Sequence, residues 1–224
     1  MKRVVVTGIG MINALGLDKD SSFREICAGK SGVGKITLFD ASEFPVQIAA
    51  EVKDFDPLTV VKDGKEVKKM DRFIQLGLKA AADAMQDAKF DTIDGDNFGV
   101  CSAAGIGGLS TIERNVNTCT ARGPKKVSPF FIPSSLVNML GGMVSIAHGL
   151  KGPNLANVTA CAASTHAICE ATKVIMLGEC EKMLVVGSEA AICPVGISGF
   201  AAMKALSTRN DDPATASRPF DKGR

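Results

Sequence analysis

The sequence predicts an α/β fold built on a mostly parallel sheet. Three observations carry this: short apolar runs that end at glycine, longer segments of helical period between them, and glycines where those periods stop. The first run, Val4 to Val6, is β-branched throughout, ends at Gly8 and Gly10, and reads as an opening strand buried on both faces. Ser21 or Ser22 is placed to cap a short helix through Cys27, with Gly29 at its exit. From about Asp71 to Ala88, the residues Phe73, Ile74, Leu78, Ala81, Ala84, Met85 and Ala88 recur on one face of a longer helix. Phe98 to Ala104 is a second buried strand, leading into Gly105-Ile106-Gly107-Gly108. Pro133-Ser134-Ser135 opens a helix through about His148, stopped by Gly149. Asn154 to Ala160 is a strand, and Ala162 to Leu177 a helix ending at Gly178 that is apolar on more than one side, the mark of a buried central helix. Met183 to Val186 is a further strand, into Gly187. With no repeat and no low-complexity linker, one unit over 1–224 is expected.

Composition narrows the function classes. Hydrophobic residues make up 46% and charged residues 22%, the balance of a packed globular chain. Tyr and Trp are absent and the net charge is +2, so neither base stacking nor a strong overall field favours nucleic acid as a partner. Seven cysteines, at 27, 101, 119, 161, 169, 180 and 193, form no CxxC pair, and an odd number cannot all pair within the chain, which fits a reducing cytoplasm. No metal and no cofactor is expected. The basic start and apolar stretch to Leu17 imitate a signal peptide, but Gly8, Gly10, Asn13 and Gly16 interrupt it and no convincing cleavage site follows. No apolar run is long enough to span a membrane.

The chemistry centres on Cys161, where a strand turns into the apolar helix. Backbone N–H groups at a helix start carry partial positive charge that favours a thiolate, or the oxyanion of an attacked thioester. A sharp strand-to-helix turn displays the nucleophile in α/β-hydrolases in the same way. A buried structural cysteine is the alternative that position alone leaves open. His166 follows five residues later, which on a helix is a rotation of about 140° and a rise of about 7.5 Å, away from the sulfur. It is therefore expected to be a structural histidine bonded to a nearby polar group. Gly8-x-Gly10 has Asn13 in the third glycine position of a dinucleotide fingerprint and reads as a plain turn, and Gly105–Gly108 lacks the Gly-Lys-Ser/Thr ending of a phosphate loop.

The segment Val158-Thr159-Ala160-Cys161-Ala162-Ala163-Ser164 resembles the active-site cysteine motif of condensing enzymes. Val4–Gly10, Lys68–Asp71, Gly105–Gly108, Ser128–Pro133, Ala205–Asn210 and Ser217–Asp221 agree with it in order and spacing. Together they resemble the bacterial 3-oxoacyl-[acyl-carrier-protein] synthase II family. The resemblance implies a thiolase-like layered fold, the amino-terminal half of a duplicated α/β architecture that dimerises when complete, with the connection to a second half starting near 205–224. It also implies an acyltransferase of fatty-acid elongation. The acyl chain passes from acyl carrier protein to Cys161, and malonyl-carrier protein then loses carbon dioxide and attacks the thioester. In the family, two histidines and a lysine of the second half assist decarboxylation, and this chain offers only His148 and His166. Alternatives are a thiolase or polyketide ketosynthase relative, or a non-catalytic carrier-protein-binding module.

The same resemblance places Ile106, Gly107 and Phe131 at the acyl pocket, the last in a region near the family's dimer interface. By default Phe130, Phe131 and Ile132 are core residues. Lys62, Lys65, Lys68, Lys69 and Arg72 form a basic cluster around a helix start. Its default reading is a solvated face. Because acyl carrier proteins are strongly acidic, the resemblance implies a docking role for Lys65, Lys68, Lys69, Lys125, Lys126 and Lys204.

Overall fold

In the computed structural model, which describes residues 2–223, the regular elements run in chain order as follows. Helix α1 (Lys19–Cys27) precedes strands β1 (Gly34–Lys35) and β2 (Ile48–Ala49), and helices α2 (Gly64–Val67) and α3 (Arg72–Ala88) lead to β3 (Phe98–Ala103). Helices α4 (Leu109–Arg122), α5 (Phe131–Ser135) and α6 (Met139–His148) are followed by β4 (Asn154–Asn157), α7 (Ala163–Leu177), β5 (Lys182–Gly187) and α8 (Pro194–Ala202). Where the sequence suggests one unit over 1–224, the chain groups into two compact ones: residues 1–10 with 56–190, and residues 11–55 with 191–224.

The first unit is a three-layer sandwich. Its sheet has the order β4-β3-β5, parallel throughout, and all six residues of the central strand are buried. Alternation along β3 divides its side chains between two cores. Phe98 and Val100 face Phe73, Ile74 and Leu78 of α3 and Leu140 and Val144 of α6. Cys101 and Ala103 face Ala163, Ala167 and Ala171 of α7. Small residues on both sides of that second contact let α7 lie close against the strand. At its outset α3 is capped by Asp71, which accepts the Phe73 N–H, as the predicted start requires.

Four local readings are corrected by tertiary contacts. Residues 4–6 form no strand, and Val5 and Val6 are 63% and 81% exposed. A strand needs a hydrogen-bonded neighbour, and the chain just beyond this segment, at residues 8–10, instead lies along α3. A Cβ on Gly8 would stand 2.3 Å from the Ala84 carbonyl oxygen, and one on Gly10 only 1.9 Å from that of Ala80, so these glycines serve close approach to a helix rather than a turn. The helix expected from Pro133 to His148 is two helices, because the Ser135 carbonyl accepts the Gly108 N–H at 3.2 Å and Leu136 is extended. The strand expected to reach Ala160 stops at Asn157, where Thr159 and a left-handed Ala160 (φ 49°) turn the chain. Finally, α7 buries one stripe, Ala163, Ala167, Ala171 and Val174, while Ile168 and Leu177 are exposed. The single face presented by the sheet takes only one side of a helix that is apolar on several.

In the second unit, α1 is capped by Asp18, which accepts the Ser21 N–H at 2.7 Å; neither Ser21 nor Ser22 is the cap. β1 and β2 pair antiparallel, over a core of Ile36, Val46, Ile48, Ile197 and Ala216. Glu51 is buried, and its carboxylate accepts the N–H groups of Thr37 and Leu38 and the Thr37 hydroxyl. Burial pushes its pKa up, but these hydrogen bonds together outweigh it and hold the carboxyl below its ordinary value. Because the folded pKa lies below the unfolded one, the stabilisation is present above the unfolded value and is lost as pH falls through the folded one. Glu51→Gln is therefore expected to lower the midpoint of chemical denaturation at pH 7 but to narrow its difference from the wild-type chain near pH 3. An unchanged difference between the two pH values would refute the ionised role.

Candidate active site

The parallel sheet delivers three chain reversals to one edge. With β3 paired to β5 at Ala103↔Gly187 and to β4 at Ala103↔Asn157, the carboxyl ends of the strands stand side by side. They run on into Gly105–Gly108, Thr159–Cys161 and Ser188–Glu189. The carboxyl edge of a parallel sheet is where open α/β folds bind ligands, because loops and helix starts converge there.

Cys161 is exposed, in the 3₁₀ turn Ala160–Ala162 immediately ahead of α7. Holding Ala160 in the left-handed region costs about 1–2 kcal/mol, strain stored directly before the sulfur-bearing residue. Behind the turn, Asn157 donates to the Cys101 sulfur at 3.1 Å, tying β4 to β3. In front, Gly187 admits α7: a Cβ there would stand 2.1 Å from Ser164 Oγ. Ala162, the residue that precedes α7, supplies no capping side chain, so the first N–H groups of the 15-residue helix face the Cys161 side without a side-chain acceptor. Cys101 contrasts with Cys161: it is fully buried, and burial pushes its thiol up, out of nucleophile chemistry.

The two histidines are accounted for separately. His166 is exposed rather than buried, with Nδ1 3.3 Å from Thr159 Oγ1 and Nε2 3.5 Å from Glu170. It has the polar partners that sequence geometry expects. His148 ends α6 half-buried, and burial pushes its pKa down.

The Gly105–Gly108 loop packs against the cysteine turn. A Cβ on Gly105 would lie 3.6 Å from the carbonyl carbon and oxygen of Ala160. Ile106 is 39% exposed, and Gly107 is buried at φ 83°, which a side chain would strain. Through Gly108 N–H to the Ser135 carbonyl, this loop also joins α5, whose first residue Phe131 is half-buried. Phe130 and Ile132 are exposed, against the default reading of core residues; α5 turns Ser134 and Ser135 inward instead.

Sequence reasoning missed Glu189. Its carboxylate accepts three successive backbone N–H groups, from Gly105 at 2.9 Å, Ile106 at 2.7 Å and Gly107 at 3.1 Å. The only signal was an acidic residue straight after an apolar strand, which has no meaning until the strands are paired.

Of the basic residues, Lys65, Lys68, Lys125 and Lys126 are exposed. Lys69 is half-buried, paired with Glu66 at 2.6 Å and set 5.5 Å over the Phe130 ring. Four residues of chain, at most about 14 Å, separate Lys126 from Phe130. Lys69 thus borders Phe130, and Lys125 and Lys126 lie close to it along the chain. Lys204, exposed at φ 58°, belongs to the other unit. Among the described residues no group of three or more His, Cys, Asp or Glu is placed to hold a metal, and no helix is long and apolar enough to cross a membrane.

The beta-ketoacyl synthase N-terminal domain model matches residues 1–224. The chain belongs to the beta-ketoacyl synthase family. It is 48% identical to 3-oxoacyl-[acyl-carrier-protein] synthase 2 of Coxiella burnetii (strain RSA 493 / Nine Mile phase I) and 46% identical to that of Vibrio harveyi, covering all of this chain and 54% of each relative. A beta-ketoacyl synthase from Burkholderia phymatum STM815 superposes with a TM-score of 0.86 at 29% identity, over 100% of this chain and 55% of that one. This beta-ketoacyl synthase domain therefore has the expected thiolase-like fold. It spans about half the length of the relatives it matches.

Proposed function

We propose that this chain is the acyl-carrying part of a condensing enzyme of fatty-acid elongation, with Cys161 as nucleophile. The observation that carries the reading is the exposed Cys161 on a strained turn before the uncapped start of α7. In the first step the Cys161 sulfur attacks the thioester carbonyl of an acyl carrier protein. A carbon–sulfur bond forms, the carrier's thiol leaves with the proton that Cys161 held, and the acyl chain remains on the enzyme. In the second, a malonyl thioester loses carbon dioxide and its carbanion attacks the acyl carbonyl, expelling the Cys161 thiolate. The relatives' names, which specify acyl-carrier-protein substrates, support this substrate class.

Ile106, Gly107 and Phe131 are assigned to the acyl pocket on the family resemblance, and the placement of the Gly105–Gly108 loop against Ala160, with its hydrogen bond to α5, supports that reading. Lys65, Lys68, Lys69, Lys125 and Lys126 are assigned to docking of the acidic carrier protein around Phe130, with Lys204 as a further contact, acting mainly on encounter rate and orientation. The enzyme works in the cytoplasm as a homodimer.

The test is intact mass after incubation with acyl-loaded carrier protein. One acyl group per chain, mapped to Cys161, is expected; adducts confined to other cysteines would overturn the assignment. Decarboxylation of malonyl-carrier protein by the 224-residue chain alone is expected to be absent, measured as released carbon dioxide. His166 is engaged by Thr159 and Glu170, and His148 sits at the far end of α6, so no histidine pair is available for the step. Robust release would refute this account of the chemistry.

A further inference from the structure

Glu189 has a place in the fold that the reading of Cys161 does not explain. The β3–β5 register of 84 residues, which pairs Ala103 with Gly187, continues one step through Ser188 N–H to the Ala103 carbonyl at 3.0 Å. Ser188 is fixed in turn by its hydroxyl, which donates to the Phe73 carbonyl at 2.7 Å. Glu189 is thereby set opposite Gly105, and its carboxylate fills the concavity made by the N–H groups of Gly105, Ile106 and Gly107. Successive N–H groups of this kind form an anion-binding nest, and bonds to a carboxylate are stronger than neutral ones.

Two details make this a positioning device and not simply a stabilising one. Glu189 is exposed, so water is at hand to serve those N–H groups if the carboxylate is removed, and the fold does not depend on it. The middle bond of the clasp is the shortest and fixes Ile106, while Gly105 at the loop's start is packed against Ala160, the neighbour of Cys161. Water would satisfy the donors without holding the loop at one distance from the cysteine turn.

We propose that Glu189 is a positioning residue which clamps the Gly105–Gly107 loop, fixes where that loop and its Ile106 stand against the turn that carries Cys161, and so determines which acyl lengths the cysteine accepts. The inference rests on the reading of Cys161 as acyl carrier. Its test is Glu189→Gln in the full chain, which keeps the size but turns an amide NH₂ toward N–H donors. Glu179→Gln, at an exposed carboxylate elsewhere, is the control.

Backbone amide exchange at 105–107 is expected to accelerate roughly tenfold or more in Glu189→Gln, with β3 and β5 amides unchanged. The rate of Cys161 acylation from carrier protein loaded with six-carbon and sixteen-carbon chains is measured alongside. The ratio of the two rates is expected to shift at least roughly threefold in Glu189→Gln and not in the control. A merely structural role would slow both lengths alike and leave the ratio fixed. Unchanged exchange at 105–107, or faster exchange with an unchanged length ratio, overturns the inference alone. Failure of the unmodified chain to acylate Cys161 with either length overturns the functional reading, and the inference with it.

Discussion

Cys161→Ala is expected to abolish the acyl-enzyme, lowering the rate of adduct formation by roughly 10⁴-fold or more, as removal of a covalent nucleophile does. Alanine offers no lone pair at the site of attack, and neither of two other cysteines, Cys101 and Cys169, is placed to replace it. Cys101, on the adjacent strand, is buried with its sulfur held by Asn157, and Cys169 lies eight residues on, more than two turns along α7. The fold should be almost indifferent. Cys161 is exposed and loses one atom, so the denaturation midpoint should shift by no more than about 0.5 kcal/mol. Cys169→Ala, equally exposed, should keep full acylation. The measurement is intact mass of each variant after incubation with acyl-carrier protein; a stoichiometric adduct on Cys161→Ala would exclude Cys161 as the carrier.

The largest effect on stability is expected at Asp71. Asp71 is 3% exposed, and its carboxylate accepts two N–H groups from different helices, Phe73 at the start of α3 (3.2 Å) and Thr111 in the first turn of α4 (2.9 Å). Alanine would leave both donors without an acceptor in a buried site, at about 1–3 kcal/mol for each buried orphan, so a loss of roughly 2–6 kcal/mol in total is expected. Asn keeps one acceptor oxygen but presents an NH₂ to the second donor, so Asp71→Asn should fall between the two. Chemical denaturation of the three chains checks the order. A loss below about 1 kcal/mol for Asp71→Ala would mean that the α3–α4 tie is dispensable. Since α4 begins directly after Gly108, the same substitution should also slow acylation at Cys161, by loosening the far end of the loop that Glu189 holds at its near end.

The elements legible in the sequence are those whose neighbours are specified by their own residues. The apolar stripe of α3 and its Asp71 start needed no tertiary information, because helix period and a capping carboxylate are local properties. Likewise Phe98–Ala103 carries enough continuous apolar sequence to demand burial on both faces whatever flanks it. The helix stops at Gly149 and Gly178 were equally plain, both glycines lying in the left-handed conformation that a helix end requires. Val4–Val6 shows the limit of such reasoning: β-branched residues supply propensity, but a strand exists only where another backbone supplies hydrogen bonds.

For the candidate site, the sequence alone pointed to Cys161, the turn ahead of the helix that displays it and the glycine loop, because each is a short contiguous motif. Tertiary structure decided the rest. It moved the end of β4 from Ala160 to Asn157 and put the strain into Ala160. It split the helix after Ser135 by giving that carbonyl to Gly108. Above all it brought Glu189 to a loop 82 to 84 residues away, through a strand register that no local pattern encodes. Hydrogen bonds between distant segments depend on how strands are ordered and shifted in the sheet, and that is settled by packing the whole core rather than by any one stretch of chain.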